Sequence, residues 1–448
     1  MRHLTLLLLA CASATFGAAC AGSASHDGGD AGSTPDSTAG GGSDGGALGS
    51  GNDSSTSPVD APSDRADLAT HDADGGSSSM GAEAAAVDGA TGGGSTVFNV
   101  DAASEGGGTI ASSTTVAPSD GLDGSRFGWS IAFGGSTLLV GAPGAMTGAG
   151  AVYAFAGDGG TWSETSRIVA NDGAAAANFG ASVAYDLDTA VIGASGASAP
   201  LLYSGAAYVF VQNAGKWNQQ AKLTAGTLSS YLGDAVAISG DTAIVGAPGN
   251  VSAYVFVRAA QSWSLQQQLG GSVSSLSDFG KAVAIDGETA LVGAPGAGAV
   301  YVFQRTGTSW SQTAMLTSSG GAGHDGFGTC VAFHGASALL CAQGSVYAFQ
   351  LGAAGWTQQA KVFSGFSSAG AISGSKAVIG RGCSSCPGAG LPLPLLTSTS
   401  DSWTQTAQLV ASGTNAGFGI SVALSSTHAF VGETQGDAPG TVYAFPLP

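Results

Sequence analysis

Residues 279–303 read FGKAVAIDGETALVGAPGAGAVYVF, with Trp310 seven residues further on, and this stretch decides the fold. It holds a Phe-Gly start, an apolar run of strand length, the polar break Asp286-Gly287-Glu288-Thr289, a second apolar run ending in Gly293-Ala294-Pro295, and Val300-Tyr301-Val302-Phe303. The same order recurs seven times. Starts fall at Phe127, Phe179, Leu232, Phe279, Phe327, Phe366 and Phe418, and the second landmark falls fourteen residues later in each, at Gly141, Gly193, Gly246, Gly293, Cys341, Gly380 and Gly432. Gly-Ala-Pro is intact at Gly141, Gly246 and Gly293, reads Gly-Ala-Ser at Gly193, and is lost in the last three copies. A Tyr-x-Phe signal follows at Tyr153, Tyr208, Tyr254, Tyr301, Tyr347 and Tyr443, where the sixth copy has a Pro-rich tract at 391–396. Trp162, Trp217, Trp263, Trp310, Trp356 and Trp403 close six of the seven units.

Each unit thus contains four short apolar runs separated by Gly-, Ser- and Asp-rich turns, within a period of about 40–50 residues that suits one propeller blade. No helical periodicity competes with it. The expected fold is all-β: a seven-bladed β-propeller of four-stranded antiparallel blades, preceded by a disordered tether. Turns such as Ser239-Gly240-Asp241-Thr242 place Gly at the first central position, as a type II′ hairpin requires. The small, apolar first and second runs fit strands covered on both faces by neighbouring blades.

Ring closure is also legible. Only three residues follow Phe445, so the seventh unit lacks its outer strand. The tract 109–116, with Val116 eleven residues ahead of Phe127, matches Ile168 ahead of Phe179 and Leu316 ahead of Phe327. It is expected to complete the last blade and remove an open edge.

Residues 1–19 carry Arg2 and His3, a short apolar run at 4–10 and then small residues, which reads as a secretory signal too short to span a bilayer. Gly17-Ala18-Ala19-Cys20 resembles the bacterial lipoprotein box, which implies lipidation at Cys20. From 20 to 108 the chain is rich in Gly, Ser, Ala, Asp and Thr, and its fourteen acidic residues and one Arg supply −13 of the net −18. Such a tract cannot bury a core, and is expected to be a disordered linker. No basic cluster invites a nucleic acid. The expected location is outside the cytoplasm, as an outer-membrane lipoprotein or on the extracellular surface of a Gram-negative bacterium, touching the membrane only through the lipid.

Cys11 lies in the signal and Cys20 in the lipoprotein box, leaving four cysteines. Counting outward from the turn at Gly335-Ala336 puts Cys330 opposite Cys341, so either a cross-strand disulfide or two small buried thiols is expected there. Cys383 and Cys386 sit in a Pro/Gly-rich loop and read as a local disulfide rather than a redox motif.

The Phe-Gly, Gly-Ala-Pro, Val-Tyr-Val-Phe order resembles the FG-GAP repeat of integrin α-subunit propellers and related bacterial surface proteins. The likeness runs from about 109 to the C-terminus. It implies a seven-bladed propeller, extracellular exposure and a role in binding or adhesion. Calcium-binding members of that family carry a longer first hairpin loop with several Asp or Asn residues. Here the turn is short, with at most Asp186 and Asp188 or Asp286 and Glu288, too few oxygens for the ion. Neither metal nor cofactor is expected.

Catalytic patterns are weak. Gly41-Gly42-Ser43-Asp44-Gly45 matches a nucleophile elbow only in letters, because it lies in the low-complexity tract. His324, His334 and His428 fall in different blades or turns with no metal spacing. The Trp series suits blade packing better than sugar stacking or a quinone-binding channel. Topology gathers on one face the loops leading into each first strand and those joining second to third strands, bringing together Asp120, Asp123, Arg126, Asn178, Tyr203, Tyr231, Asp278, His324, Asp325 and Asp437. The long loop 195–205 of the second blade, with Leu201-Leu202-Tyr203, is the expected partner contact. The chain is read as a monomeric, noncatalytic cell-surface module for an unknown protein or polysaccharide. A propeller enzyme is the runner-up, and a purely structural envelope protein is a third reading.

Overall fold

The computed structural model describes residues 108–448 except 158–159, 199–200, 202, 229, 271–276, 320–324, 383–389, 400–401, 416 and 435–438. The signal segment, Cys20 and the acidic tract up to residue 107 lie outside the described residues, as do Cys383 and Cys386.

Seven antiparallel meanders make the ring, each running from an innermost strand to an outer one. Blade four shows the pattern, with strands Ala282–Asp286, Thr289–Ala294, Ala299–Thr306 and Ser309–Leu316. The innermost strands contact one another in order around the ring, and Ser421–Leu424 of blade seven returns to Ser130–Gly134 of blade one. The fold is therefore the expected seven-bladed β-propeller.

The repeated letters have repeated jobs. In five blades the start Phe is buried and packs against both aromatics of Tyr-x-Phe, edge-on in four of them, as Phe279 does with Tyr301 at 5.4 Å and Phe303 at 6.1 Å. Removing one such ring from water stabilises by about 2–3 kcal/mol. In blades one to six the first hairpin turn carries positive φ at its first central residue only, for example 57° at Gly287, which is the type II′ signature. Blade two alone puts a non-glycine residue there, Leu187 at 57°.

Two glycines from consecutive blades meet at six of the seven seams, the exception being the one where blade five carries Cys341. A Cβ on Gly293 would stand 2.1 Å from the carbonyl oxygen of Gly328, the start glycine of the next blade, and Gly141, Gly193 and Gly246 meet Gly180, Gly233 and Gly280 in the same way. Ser130, Ser182 and Ser421 add a hydroxyl that donates to those same carbonyls, at 2.8, 2.8 and 2.6 Å. The last of these, from Ser421 to Gly128, joins blade seven to blade one.

Blade six departs from the sequence expectation. Phe366 is 44% exposed and is not a core start residue. Ser368 donates its backbone N–H to Gly380, the bond that the start glycine makes elsewhere, so the landmark is one residue shorter here. Its third strand is Leu393–Ser398, in which Leu393, Leu395 and Leu396 are buried in place of Tyr-x-Phe.

Closure differs in detail too. Thr114–Val116 pairs antiparallel with Thr441–Pro446 as the fourth strand of blade seven. Gly108–Ala111 does not join that blade; it runs parallel to Trp403–Val410 as a fifth strand on blade six. The tract 109–116 is thus split between two blades at Ser112 and Ser113, whose amides donate to Val410 and Ala444 respectively.

Candidate functional site

The loops leading into the first strands share one backbone device. In blades one to four the residue before the start takes a left-handed conformation, with φ between 50° and 55° at Arg126, Asn178, Tyr231 and Asp278, and its carbonyl accepts the N–H three residues on. That geometry is unfavourable for a bulky side chain. It turns the side chain outward, and Arg126, Asn178, Tyr231 and Asp278 are all exposed. The loop from second to third strand in blade two does the same at Tyr203, with φ 49°.

The structure brings two of the predicted residues together. Tyr203 and Tyr231 stand side by side across the seam between blades two and three, ring centroids 6.0 Å apart and planes at 31°. They are 47% and 42% exposed. Backbone bonds fix the pair: Tyr231 N–H donates to Tyr203 O, and Leu232 N–H to Ser204 O. Leu201 is half-buried rather than fully exposed, and Leu202 lies outside the described residues. Further along the face, Asp234 and Lys281, second after the starts of blades three and four, form an ion pair of 2.9 Å with little exposure.

Other predicted residues serve the scaffold. Asp325 accepts from the Ser318 hydroxyl at 2.7 Å and from the Phe327 N–H at 3.0 Å, so it shapes its own loop. Asp120 accepts from the Tyr153 hydroxyl at 2.8 Å and pairs with Arg167 at 2.9 Å. Burial and the neighbouring Asp120 push the Tyr153 phenol well above the usual tyrosine range. Asp278 is exposed at the blade-four loop; His324 and Asp437 lie outside the described residues.

The hairpin acids also bond to neighbouring groups. Asp186 accepts the Gly240 N–H of the next blade at 2.7 Å, and Asp286 accepts the Gly335 N–H at 2.7 Å. Glu288 pairs with Arg305. His334 stands 3.7 Å from Asp286. Burial, with Asp188 and Asp286 nearby, holds the Asp186 carboxyl above its ordinary value.

Sequence reasoning missed one buried carboxylate. Glu433, directly after the blade-seven landmark Gly432, is 1% exposed; it accepts from the Tyr443 hydroxyl at 2.6 Å and from Asn415 N–H at 2.6 Å. Burial and Glu433 together push the Tyr443 phenol upward. The available signal was a glutamate where four other copies read Ala after the landmark glycine. Cys330 and Cys341 are joined in a disulfide with Cα atoms 5.0 Å apart, inside the core between blades five and six.

The family model described as FG-GAP repeat matches residues 112–155, 162–210, 217–256 and 403–445. No curated protein matches the chain. A crystal structure of a protein from Lactobacillus plantarum is similar over 64% of this chain and 85% of that one, at 13% identity and a TM-score of 0.46. Four matched repeats, and a ring in which the Phe-Gly of each typical blade packs on the landmark glycine of the blade before it, identify this chain as one that carries FG-GAP repeats in a seven-bladed β-propeller.

Proposed function

We propose that the ring is a noncatalytic binding or adhesion module, held at a bacterial cell surface by a lipid on Cys20 and the acidic tract between them. The observation that carries this reading is the Tyr203–Tyr231 pair. Two large amphipathic rings are held outward by strained backbone on the face where loops gather, at a seam rigidified by backbone hydrogen bonds. Exposed tyrosines offer contact area with few rotatable bonds, which suits recognition. The acids on and around the ring support it as well. Asp120, Asp186, Asp286 and Asp325 each bond to neighbouring backbone or side-chain donors in the scaffold.

The test uses the full chain on whole envelope preparations. Replacing Leu201, Leu202 and Tyr203 by Ser should abolish retention on the envelope fraction while the melting transition of the ring is kept. Retention equal to that of the wild type would remove this loop from the reading. Thermal unfolding against envelope polysaccharides and envelope proteins then separates the classes of partner, since a ligand at a hundred times its dissociation constant stabilises by about 2.7 kcal/mol.

A further inference from the structure

Where blade six breaks the repeat, it places a cation on the loop face. The position after the landmark is alanine in blades one to five, at Ala142, Ala194, Ala247, Ala294 and Ala342, and each of these is buried. In blade six it is Arg381. The sequence around it is empty of acids. From Gly326 to Ser400 the chain holds Lys361, Lys376 and Arg381 but no Asp or Glu, although the whole chain carries a net charge of −18. That span includes 383–389, the part of this loop that lies outside the described residues.

Arg381 is half-buried, and its guanidinium is only partly satisfied. One face lies against Phe363 of blade five's outer strand, with the guanidinium carbon 5.0 Å from the ring centre. Nη1 donates to Pro392 O at 3.2 Å. Nη2 stands beside Gly365, where a Cβ would meet it at 3.7 Å. Nε is buried without a hydrogen-bond partner, and Nη2 has none among the described residues. No described carboxylate pairs with the charge, and burial pulls the guanidinium below its ordinary value. Unpaired N–H groups in such a setting are costly, so the Nε–Nη2 edge is short of an acceptor. The residues next in the chain to those contacts are large, apolar and open. Phe366, after Gly365, is 44% exposed, and Leu391, before Pro392, is 51% exposed.

We infer that the loop face of blade six binds a carboxylate carried on an apolar group, with Arg381 as its anchor. The Nε–Nη2 edge of a guanidinium presents two N–H groups in one plane, which matches the two oxygens of a carboxylate. Phe366 and Leu391 offer apolar contact to the body of the ligand. A dianionic phosphate would find only half of its counter-charge in a single guanidinium. Two sources share the chemistry: a free acid with an apolar tail, and a polypeptide whose last residue is apolar. The site belongs to blade six, the tyrosine pair to the seam of blades two and three, and neither depends on the other.

The experiment is calorimetric titration of the full chain with phenylpropionate and with N-acetylalanylphenylalanine, set against the amide of that dipeptide and inorganic phosphate. Both acids are expected to bind, the tighter one naming the source, and the amide and phosphate are not. Arg381→Ala restores the residue of blades one to five, so the melting transition should be kept while both acids weaken by about tenfold or more. Phe366→Ser, at an exposed position, should weaken them as well without moving the transition. Failure of both acids to bind overturns the proposal. So does an amide that binds as tightly as its acid, phosphate that displaces either acid, or binding unchanged in either variant.

Discussion

At the residue scale, the two halves of the repeat are one contact seen from either side. The landmark glycine of one blade is small because the start glycine of the next puts a carbonyl oxygen where its Cβ would be. This accounts for a correlated loss. Cys341 of blade five carries a side chain at the landmark position, and the start of blade six, which would press on it, reads Phe366-Ser367 with Phe366 exposed. The disulfide from Cys341 to Cys330 occupies that seam, and a Cβ on Gly370 would meet the Cys330 sulfur at an ordinary 3.7 Å. The periodicity of fourteen was legible in the letters; the partnership across the seam was not, because it joins residues about 35 apart in different units. Gly293→Ala should therefore destabilise the ring by about 2–3 kcal/mol through overpacking against backbone that cannot yield. Urea unfolding followed by tryptophan fluorescence measures it, and a loss under about 0.5 kcal/mol, typical of a surface exchange, would refute the contact.

At the element scale, the hairpin turns that read as plain polar breaks form a chain of clasps around one face. Asp186 takes the Gly240 amide, the Ser239 hydroxyl takes the Gly287 amide, and Asp286 takes the Gly335 amide, each one blade onward. A carboxylate 5% exposed in such a clasp has a distinct pH signature. Burial holds the folded Asp186 carboxyl above its ordinary value, so on acidification the folded state takes up the proton before the unfolded chain does. The stability it contributes is thus complete below the unfolded value and is lost as the pH rises through the folded one. Asp186→Asn keeps an oxygen for the Gly240 amide and removes the charge. Its melting temperature relative to the wild type should rise as the pH is raised from about 4 towards neutrality. A difference independent of pH across that range would place the strain elsewhere. The turn type itself was legible from Gly at the first central position; the clasp was not, since a turn acid and a solvated acid look alike in one dimension. The same limit hid Glu433, whose partners Tyr443 and Asn415 lie on either side of it in the chain.

At the scale of the whole molecule, seven four-stranded blades require a strand from the other end of the chain, and the three strands of blade seven made that need visible in advance. What the spacing could not reveal was that eight residues serve two blades. Val116 is buried at 2% within the core shared by blades seven and one, whereas Gly108–Ala111 adds a mostly exposed parallel strand outside blade six. The two pieces carry unequal weight. Thr114–Val116 supplies the ladder to Thr441–Pro446, and without it the third strand of blade seven becomes an edge with unpaired amides and carbonyls. Gly108–Ala111 covers the outer strand of a blade that already has four. Two internal deletions in the full chain separate them. Removing 114–117 should lower the melting temperature by many degrees and favour association of rings through the bared edge. Removing 108–111 should lower it only slightly and leave the association state of the ring as it is in the full chain. Differential scanning calorimetry with light scattering reads both, and equal losses from the two deletions would mean that closure depends on the length of the tract rather than on the strand it gives to blade seven.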